Sequence, residues 1–267
     1  YLLTVHDTLF LESKWSTIKE KIKFKHIPYS IKKADHIITV SNFLKTDLLK
    51  KFNLPENKIS TVYCGINDSF YEYPKNASDM QSIKIKYALP ENYILYVGLF
   101  NIRKNLVNLI KAFSLLKQKE KSPIKLVLVG KFDGKCEDIH KLIKELDIKT
   151  EVIFLDYMNN HELPYVYSLS TLFVFPSFYE GFGLPPLEAM ASRVPVIASD
   201  IPVFQETLKD AALLVNPHDP FEIFLAMNKI LNEKKLRLEL IEKGTARAKN
   251  FSWQEAASKT IEIYNKL

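Results

Sequence analysis

The segment Phe175-Pro-Ser-Phe-Tyr-Glu-Gly-Phe-Gly-Leu-Pro-Pro-Leu-Glu188 decides which fold the sequence predicts. The apolar run that ends at Phe175 predicts a buried strand, and the two prolines predict the first turn of a helix, where proline loses no hydrogen bond. Between them lie Gly181 and Gly183, two of only seven glycines in 267 residues. We expect glycines this scarce to occupy backbone positions that no other residue can take. A strand, a glycine loop and a helix start in this order predict an α/β fold with a ligand at the loop.

Short apolar runs of the same kind recur along the chain and alternate with segments of helical periodicity. Continuous apolar runs are typical of strands that are buried on both faces of a parallel sheet. The predicted strands are 2–5, 36–40, 59–63, 94–97, 125–129, 152–155, 172–175, 194–198 and 213–215. The predicted helices are 42–52, 104–118, 136–146, 186–192, 221–231, 234–248 and a last one that follows Ser252 as its N-cap. The pattern predicts an α/β protein with open, doubly wound parallel sheets.

Composition excludes several classes of protein. With 47% hydrophobic and 25% charged residues, the chain is not intrinsically disordered. No apolar run approaches the roughly 18 residues that span a bilayer. Two cysteines cannot form a disulfide framework or a four-ligand zinc site, which indicates a reducing, cytoplasmic compartment.

The positive charge of the chain is concentrated near its beginning. Of the net charge of +6, residues 1–60 contribute 11 − 6 = +5. This charge is too small, and lacks the interleaved aromatic residues, for a dedicated nucleic-acid-binding protein. Two interpretations stay open for the basic segment 14–33: a lysine-rich solvated surface, or a peripheral contact with an anionic membrane.

The loop between strand and helix has the features of a site for a nucleotide sugar. The free amides of the helix start point back at the loop 181–184, where glycines let a ligand approach the backbone, and this arrangement suits a diphosphate. Glu180 and Glu188 would repel a phosphate, but they can accept hydrogen bonds from sugar hydroxyls on both sides of it. The alternative is that Glu188 only complements the helix dipole and that Glu180 is a solvated loop residue.

Glu180-Gly-Phe-Gly-Leu-Pro-Pro-Leu-Glu188 resembles the Glu-x7-Glu motif of retaining GT-B glycosyltransferases, specifically glycosyltransferase family four. The resemblance covers essentially the whole chain, in order. Its other matching segments are Thr4-Val-His-Asp7, Ala34-Asp-His-Ile-Ile-Thr-Val-Ser41, Tyr96-Val-Gly98, Arg103-Lys-Asn105 and Phe251-Ser-Trp253.

The resemblance implies two Rossmann-like domains. We assign residues 1–72 to the carboxyl-terminal part of the acceptor-side domain, 73–90 to a linker, 91–250 to the donor domain and 251–267 to a helix that crosses back. Because an apolar strand opens the sequence without an initiator Met, we expect the chain to be truncated at its N-terminus.

The same resemblance implies roles for individual residues. Glu188 is expected to bind the ribose of the donor and Glu180 its hexose, while Arg103 and Lys104 would neutralise the leaving diphosphate. Many family members carry an arginine where this chain has Leu99, directly after Gly98. The implied donor-binding set also includes Gly181, Phe182, Gly183, Leu184 and Gly98, with Tyr157 and Met158 beside the nucleobase and His6 at the sugar. For His6, Gly98, Tyr157 and Met158, a purely structural role stays open.

The function implied is a retaining transfer of a hexose from a nucleoside diphosphate sugar to a hydroxyl of a glycan or lipid-linked acceptor. Neither a cofactor nor a metal is expected, since the protein supplies the positive charge. Two alternatives stay open: a non-catalytic subunit that binds nucleotide sugars, and a GT-B nucleotide-sugar epimerase.

Overall fold

The computed structural model describes residues 1–11, 26–72, 76–133, 138–159 and 161–267. Its first part contains a parallel sheet with the strand order β1-β2-β3. The strands are β1 (Leu2–Val5), β2 (His36–Thr39) and β3 (Ile59–Thr61), and the helices are α1 (Ile27–Lys33) and α2 (Asn42–Phe52). All three strands were predicted.

A second parallel sheet contains six strands in the order β6-β5-β4-β7-β8-β9. They are β4 (Tyr93–Val97), β5 (Lys125–Val129), β6 (Val152–Leu155), β7 (Leu172–Phe175), β8 (Val196–Ser199) and β9 (Leu213–Val215). From β4 the chain adds β5 and β6 on one side of that strand, and then crosses to the other side of β4 to add β7, β8 and β9. Open sheets bind ligands at such a reversal point, beyond the carboxyl ends of the strands. The doubly wound α/β fold is therefore confirmed, and the loops after β4 and β7 meet at its binding edge.

Nine further helices complete the described chain. They are α3 (Ala77–Lys86), α4 (Leu106–Glu120), α5 (Ile139–Glu145), α6 (Leu163–Ser168), α7 (Leu184–Ala191), α8 (Pro202–Thr207), α9 (Pro220–Asn232), α10 (Lys234–Ala248) and α11 (Trp253–Tyr264). The sequence did not predict α1, α3, α6 or α8. Three of these are only six or seven residues long, and α3 buries only Ile83, so it carries almost no apolar periodicity. Helix α3 lies inside the predicted linker 73–90, where the sequence predicted no helix for that reason.

Two predicted helix starts were also wrong. Helix α4 begins at Leu106 rather than at residue 104, because Asn105 takes a left-handed conformation with φ 58°. Helix α7 begins at Leu184, two residues before the predicted start, because Gly183 ends the loop with φ 92°. The predicted start of α5, at residue 136, lies outside the described residues.

Helix α11 returns to the first sheet. Ser252 caps it by accepting a hydrogen bond from the Glu255 amide. Ala256 packs in a cluster with Ile38 and Val62 of the first unit. Gly65 lies at the crossing, where a Cβ would overlap the backbone of Trp253. The terminal helix thus ties the two sheets together.

Among the described helices, none has the length and apolar character needed to cross a bilayer. Most of the basic segment 14–33, the predicted membrane contact, lies outside the described residues. Its last part, from Ile27 to Lys33, forms α1.

Candidate active site

Two loops meet where the order of the second sheet reverses. One follows β4 and carries Arg103 and Lys104 in a short 3-10 turn. The other follows β7 and carries Tyr179 and Glu180. The Phe178 amide donates to the Arg103 carbonyl over 2.9 Å, and the Arg103 guanidinium donates to the Tyr179 carbonyl over 2.8 Å. These bonds hold the two loops together at the carboxyl edge of the sheet.

Arg103, Lys104 and Glu180 form a buried ionic cluster, which we call the cation–glutamate cluster. The Glu180 Oε1 atom lies 2.6 Å from Lys104 Nζ and 2.9 Å from an Arg103 guanidinium nitrogen. The Lys104 and Glu180 side chains are each 10% exposed. Lys104 Nζ also lies 4.7 Å from the centre of the Phe175 ring. The structure therefore brings together three residues that the sequence placed in one site.

Burial and charge act in opposite directions in this cluster. Burial acts to raise the pKa of Glu180, but the neighbouring cations outweigh it and hold that pKa below its usual value. Burial lowers the pKa of Lys104, and the Glu180 carboxylate opposes the shift. Within the cluster, two positive charges face one negative charge, and Asp7 lies close enough to act on Lys104 as well. The cluster can therefore attract an anion such as a diphosphate.

The glycines of the second loop are required by contacts within the protein. A Cβ on Gly181 would overlap the carbonyl oxygen of His6, and one on Gly183 would overlap the ring of Phe204. Protein atoms therefore fill the space that a Cβ would need at both positions, and the expectation that a ligand approaches the backbone here stays a prediction.

The start of helix α7 offers few donors. Leu184, Pro185 and Pro186 are the first three residues of α7. Proline has no N–H, so among these three residues only Leu184 has a backbone amide that can donate to a ligand. The Gly183 amide precedes it in the loop. A phosphate at this helix would depend on the two amides that the sequence singled out, together with the cation–glutamate cluster.

Glu188 has a different environment from Glu180. It is the fifth residue of α7 and lies beyond the first turn, whereas the helix predicted over 186–192 would place it in the first turn. Its Oε2 accepts a hydrogen bond of 3.0 Å from the hydroxyl of Tyr167, which is fully buried. Burial raises the pKa of Glu188 to about 7, and the Tyr167 hydroxyl opposes this shift. Tyr167 lies on α6, whose six residues were too short to predict as a helix.

The remaining predicted residues lie in several settings. His6 follows β1 and its side chain is exposed, while Gly98 follows β4 and its amide donates to Val129. The Phe182 ring is buried and packs against Tyr63 and Phe251. After β6, Tyr157 is 68% exposed, whereas Met158 is 3% exposed and belongs to the main core. The roles proposed for these residues stay predictions.

Polar contacts that the sequence did not predict join the first unit to the second, at the loop after β7 and at helix α8. The Ser41 hydroxyl donates to the Gly181 carbonyl over 2.8 Å. The Glu206 carboxylate accepts from the amides of Asn42 and Phe43, over 2.7 and 2.8 Å, at the N-terminus of α2. The N-cap position of Ser41 is readable from the sequence, but its partner 140 residues away is not.

Comparisons with known proteins agree with this architecture. Residues 79–247 match the family described as "Glycosyl transferases group 1", and residues 1–70 match "Glycosyltransferase Family 4". O-antigen chain mannosyltransferase B from Escherichia coli is 31% identical over 99% of this chain and 70% of its own length. O-antigen chain mannosyltransferase RfbU from Salmonella typhimurium is 35% identical over 81% of this chain, which spans 57% of that protein.

A solved structure extends the match to three dimensions. Sucrose-phosphate synthase from Thermosynechococcus elongatus superposes with a TM-score of 0.81 and 26% identity, over 99% of this chain and 67% of its own. Since family matches, relatives and fold agree along nearly all of its residues, the chain belongs to the group 1 glycosyltransferases of glycosyltransferase family four, with the GT-B fold.

Proposed function

We propose that this chain carries the catalytic centre of a retaining, metal-independent hexosyltransferase that uses a nucleoside diphosphate sugar. The observation that carries the proposal is the cation–glutamate cluster, buried at the reversal point of the donor sheet. Two cations that share one carboxylate leave positive charge for a diphosphate. A binding subunit or an epimerase of the same fold remains the alternative that the experiment below tests.

The reaction begins with cleavage of the bond between the anomeric carbon and the diphosphate oxygen. Negative charge grows on the leaving diphosphate, and Lys104 and Arg103 stabilise it by charge-assisted hydrogen bonds. The sugar takes on oxocarbenium character. The acceptor hydroxyl then attacks the same face that the leaving group occupied, and its proton passes to an oxygen of the departing phosphate. The product keeps the anomeric configuration of the donor.

The two glutamates would divide the recognition of the donor. Glu188, hydrogen-bonded to Tyr167 beneath α7, would accept hydrogen bonds from the ribose. Glu180 would orient Lys104 through its 2.6 Å contact and accept a hydrogen bond from a hexose hydroxyl. Because Arg103 and Lys104 supply the positive charge, the reaction would need no metal ion.

Relatives guide the choice of substrate. Two are O-antigen chain mannosyltransferases, so we propose a nucleoside diphosphate mannose as donor and a growing, lipid-linked polysaccharide as acceptor. That acceptor would place the protein in the cytoplasm, peripheral to the membrane, with the basic segment 14–33 as the contact.

The test is to incubate the intact protein with a panel of nucleoside diphosphate sugars and a lipid-linked oligosaccharide extract. We expect mannose transfer, an unchanged anomeric configuration by NMR, and full activity in EDTA. Binding without turnover would favour the non-catalytic alternative, and a donor with altered sugar stereochemistry would favour an epimerase. Loss of activity in EDTA with rescue by Mg²⁺ or Mn²⁺ would contradict the metal-free mechanism.

A further inference from the structure

Residues on both sides of Glu180 also contact the first unit, in addition to their contacts within the unit that carries the loop. The Tyr179 hydroxyl lies 2.6 Å from Thr8 Oγ1, and Thr8 Oγ1 lies 2.8 Å from Asp47 Oδ2. We call these three groups the hydroxyl relay. Thr8 follows β1 and Asp47 lies on α2, so the relay joins the first unit to the residue directly before Glu180.

The direction of the relay follows from counting protons. The Asp47 Oδ2 atom accepts the Thr8 hydroxyl and also pairs with Lys51 over 3.0 Å, so the single hydroxyl proton of Thr8 points to Asp47. Thr8 Oγ1 is then an acceptor for Tyr179, whose hydroxyl donates. Thr8 is fully buried, and burial raises the pKa of Tyr179, so this hydroxyl keeps its proton. The relay is a directed chain of two hydrogen bonds that ends on a carboxylate.

The residue after Glu180 is anchored in the same way. The Gly181 carbonyl accepts the Ser41 hydroxyl, and the Gly181 Cα rests against the His6 carbonyl. Glu180 therefore lies between two residues that the first unit fixes in place. Its contacts with Lys104 and Arg103 require the carboxylate to lie within 3 Å of both cations. Small shifts of the loop would break that geometry.

We propose that Tyr179, Thr8 and Asp47 are positioning residues that couple the docking of the first unit to the placement of Glu180 in the cation–glutamate cluster. This inference rests on the proposed function. Without the relay, the hydrogen bonds from Arg103 and Ser41 still hold the loop in place, so the nucleotide site persists. What is lost is the alignment of Glu180 and, through it, of Lys104.

The experiment compares Tyr179→Phe, Thr8→Val, Asp47→Ala and the double variant Tyr179→Phe/Thr8→Val in the intact protein. We expect kcat to fall about tenfold in the single variants, roughly what one hydrogen bond is worth. Affinity for the nucleoside diphosphate should stay within about twofold. The double variant should be no slower than the slower single variant, because both changes break the same chain. Thr8→Ser, which keeps the hydroxyl, should restore kcat.

Tyr93→Phe is the matched control. The Tyr93 hydroxyl donates to the Val166 carbonyl over 2.6 Å inside the core, and this hydrogen bond involves no residue of the loop or of the hydroxyl relay. Its loss should lower the melting temperature and leave kcat unchanged. Relay variants that lower only the melting temperature, as this control does, would overturn the proposal, as would additive losses in the double variant.

A second readout does not depend on turnover. If the relay places Glu180 against the hexose, Tyr179→Phe should weaken binding of the nucleotide sugar more than binding of the nucleoside diphosphate. Equal weakening of nucleotide-sugar binding and nucleoside diphosphate binding would contradict the positioning role of the relay, even if the enzyme is active. A wild-type protein that binds the donor without transferring it would refute the proposed function, while this ratio would still report on the relay.

Discussion

Two clusters in the six-stranded unit have the same charge pattern, one glutamate between two cations, and lie at opposite edges of the same sheet. Glu180 contacts Lys104 and Arg103 at the carboxyl edge. Glu151 contacts Lys117 over 2.5 Å and Lys125 over 2.8 Å at the amino edge, where β5 and β6 begin. The charge pattern alone does not separate the two clusters.

Burial and connectivity separate them. The Glu151 side chain is 21% exposed against 10% for Glu180. Hydrogen bonds from Lys117 and Lys125 lower the pKa of Glu151 to about 2. Lys117 also donates to the carbonyl of Ile124, so this cluster ties the end of α4 to the start of β5. The amino-edge cluster is a structural tie, whereas the other lies where open sheets bind ligands.

The largest effect should come from removing a lysine from each cluster. We expect Lys104→Ala to lower kcat about 10²- to 10³-fold, the usual cost of losing one donor that stabilises charge in a transition state. Donor affinity should fall less, because charge on the diphosphate grows as the bond breaks. Lys125→Ala should leave kcat within about twofold. Steady-state kinetics and nucleotide titrations measure both. If Lys104→Ala raised only KM, Lys104 would be a ground-state binding residue.

Glu188 is a second carboxylate at the carboxyl edge, and it is paired with a hydroxyl rather than with cations. Above pH 7, where the Glu188 carboxylate is ionised, Glu188→Ala should weaken nucleoside diphosphate binding by roughly 1.5–3 kcal/mol, as expected for hydrogen bonds to a charged group. Calorimetric titration of the nucleoside diphosphate measures the change. Glu151→Ala, the control at the amino edge, should leave the affinity unchanged. Unaltered affinity in Glu188→Ala would refute the ribose assignment.

Substitution of Glu206 tests whether the contact between the two units affects turnover as well as stability. Glu206→Gln removes a negative charge from the N-terminus of α2 and should lower the free energy of unfolding by about 1 kcal/mol. The matched control is Asp219→Asn, which changes the cap of α9 within one unit. Urea denaturation should show similar losses in both, and kcat should fall only in Glu206→Gln. A loss of kcat in the control as well would mean that stability alone limits activity.

The smallest effect concerns the pH dependence of stability at the amino edge. Because folding lowers the pKa of Glu151 from 4.5 to about 2, its stabilisation is complete above pH 4.5 and is lost as the pH falls toward 2. Solvent screening reduces this contribution to about 1 kcal/mol. Glu151→Gln should therefore be less stable than wild type at pH 7 and nearly equal to it at pH 2. A difference that is constant with pH would contradict the ionic interpretation.

The accuracy of the sequence predictions followed the strength of each local signal. Strands such as β4 and β7 are continuous apolar runs, and their burial on both faces of a sheet makes them readable. Helix α6 was not predicted because six residues do not establish a helical period. Tyr167, the partner of Glu188, was missed with it. The start of α4 was misplaced because the left-handed Asn105 has no distinctive local pattern.

Sequence patterns predicted the doubly wound fold and the strand–loop–helix setting of Glu180 and Glu188, while Arg103 and Lys104 became candidates through the resemblance to glycosyltransferase family four. The fold and this setting depend on local patterns and on fixed spacing along the chain. Only the tertiary structure decided which groups meet. Lys104 and Glu180 are 76 residues apart, and Thr8 and Tyr179 are 171 apart. Contacts at such separation depend on how the sheets dock, and many residue pairs of equal charge or polarity could have satisfied the same sequence pattern.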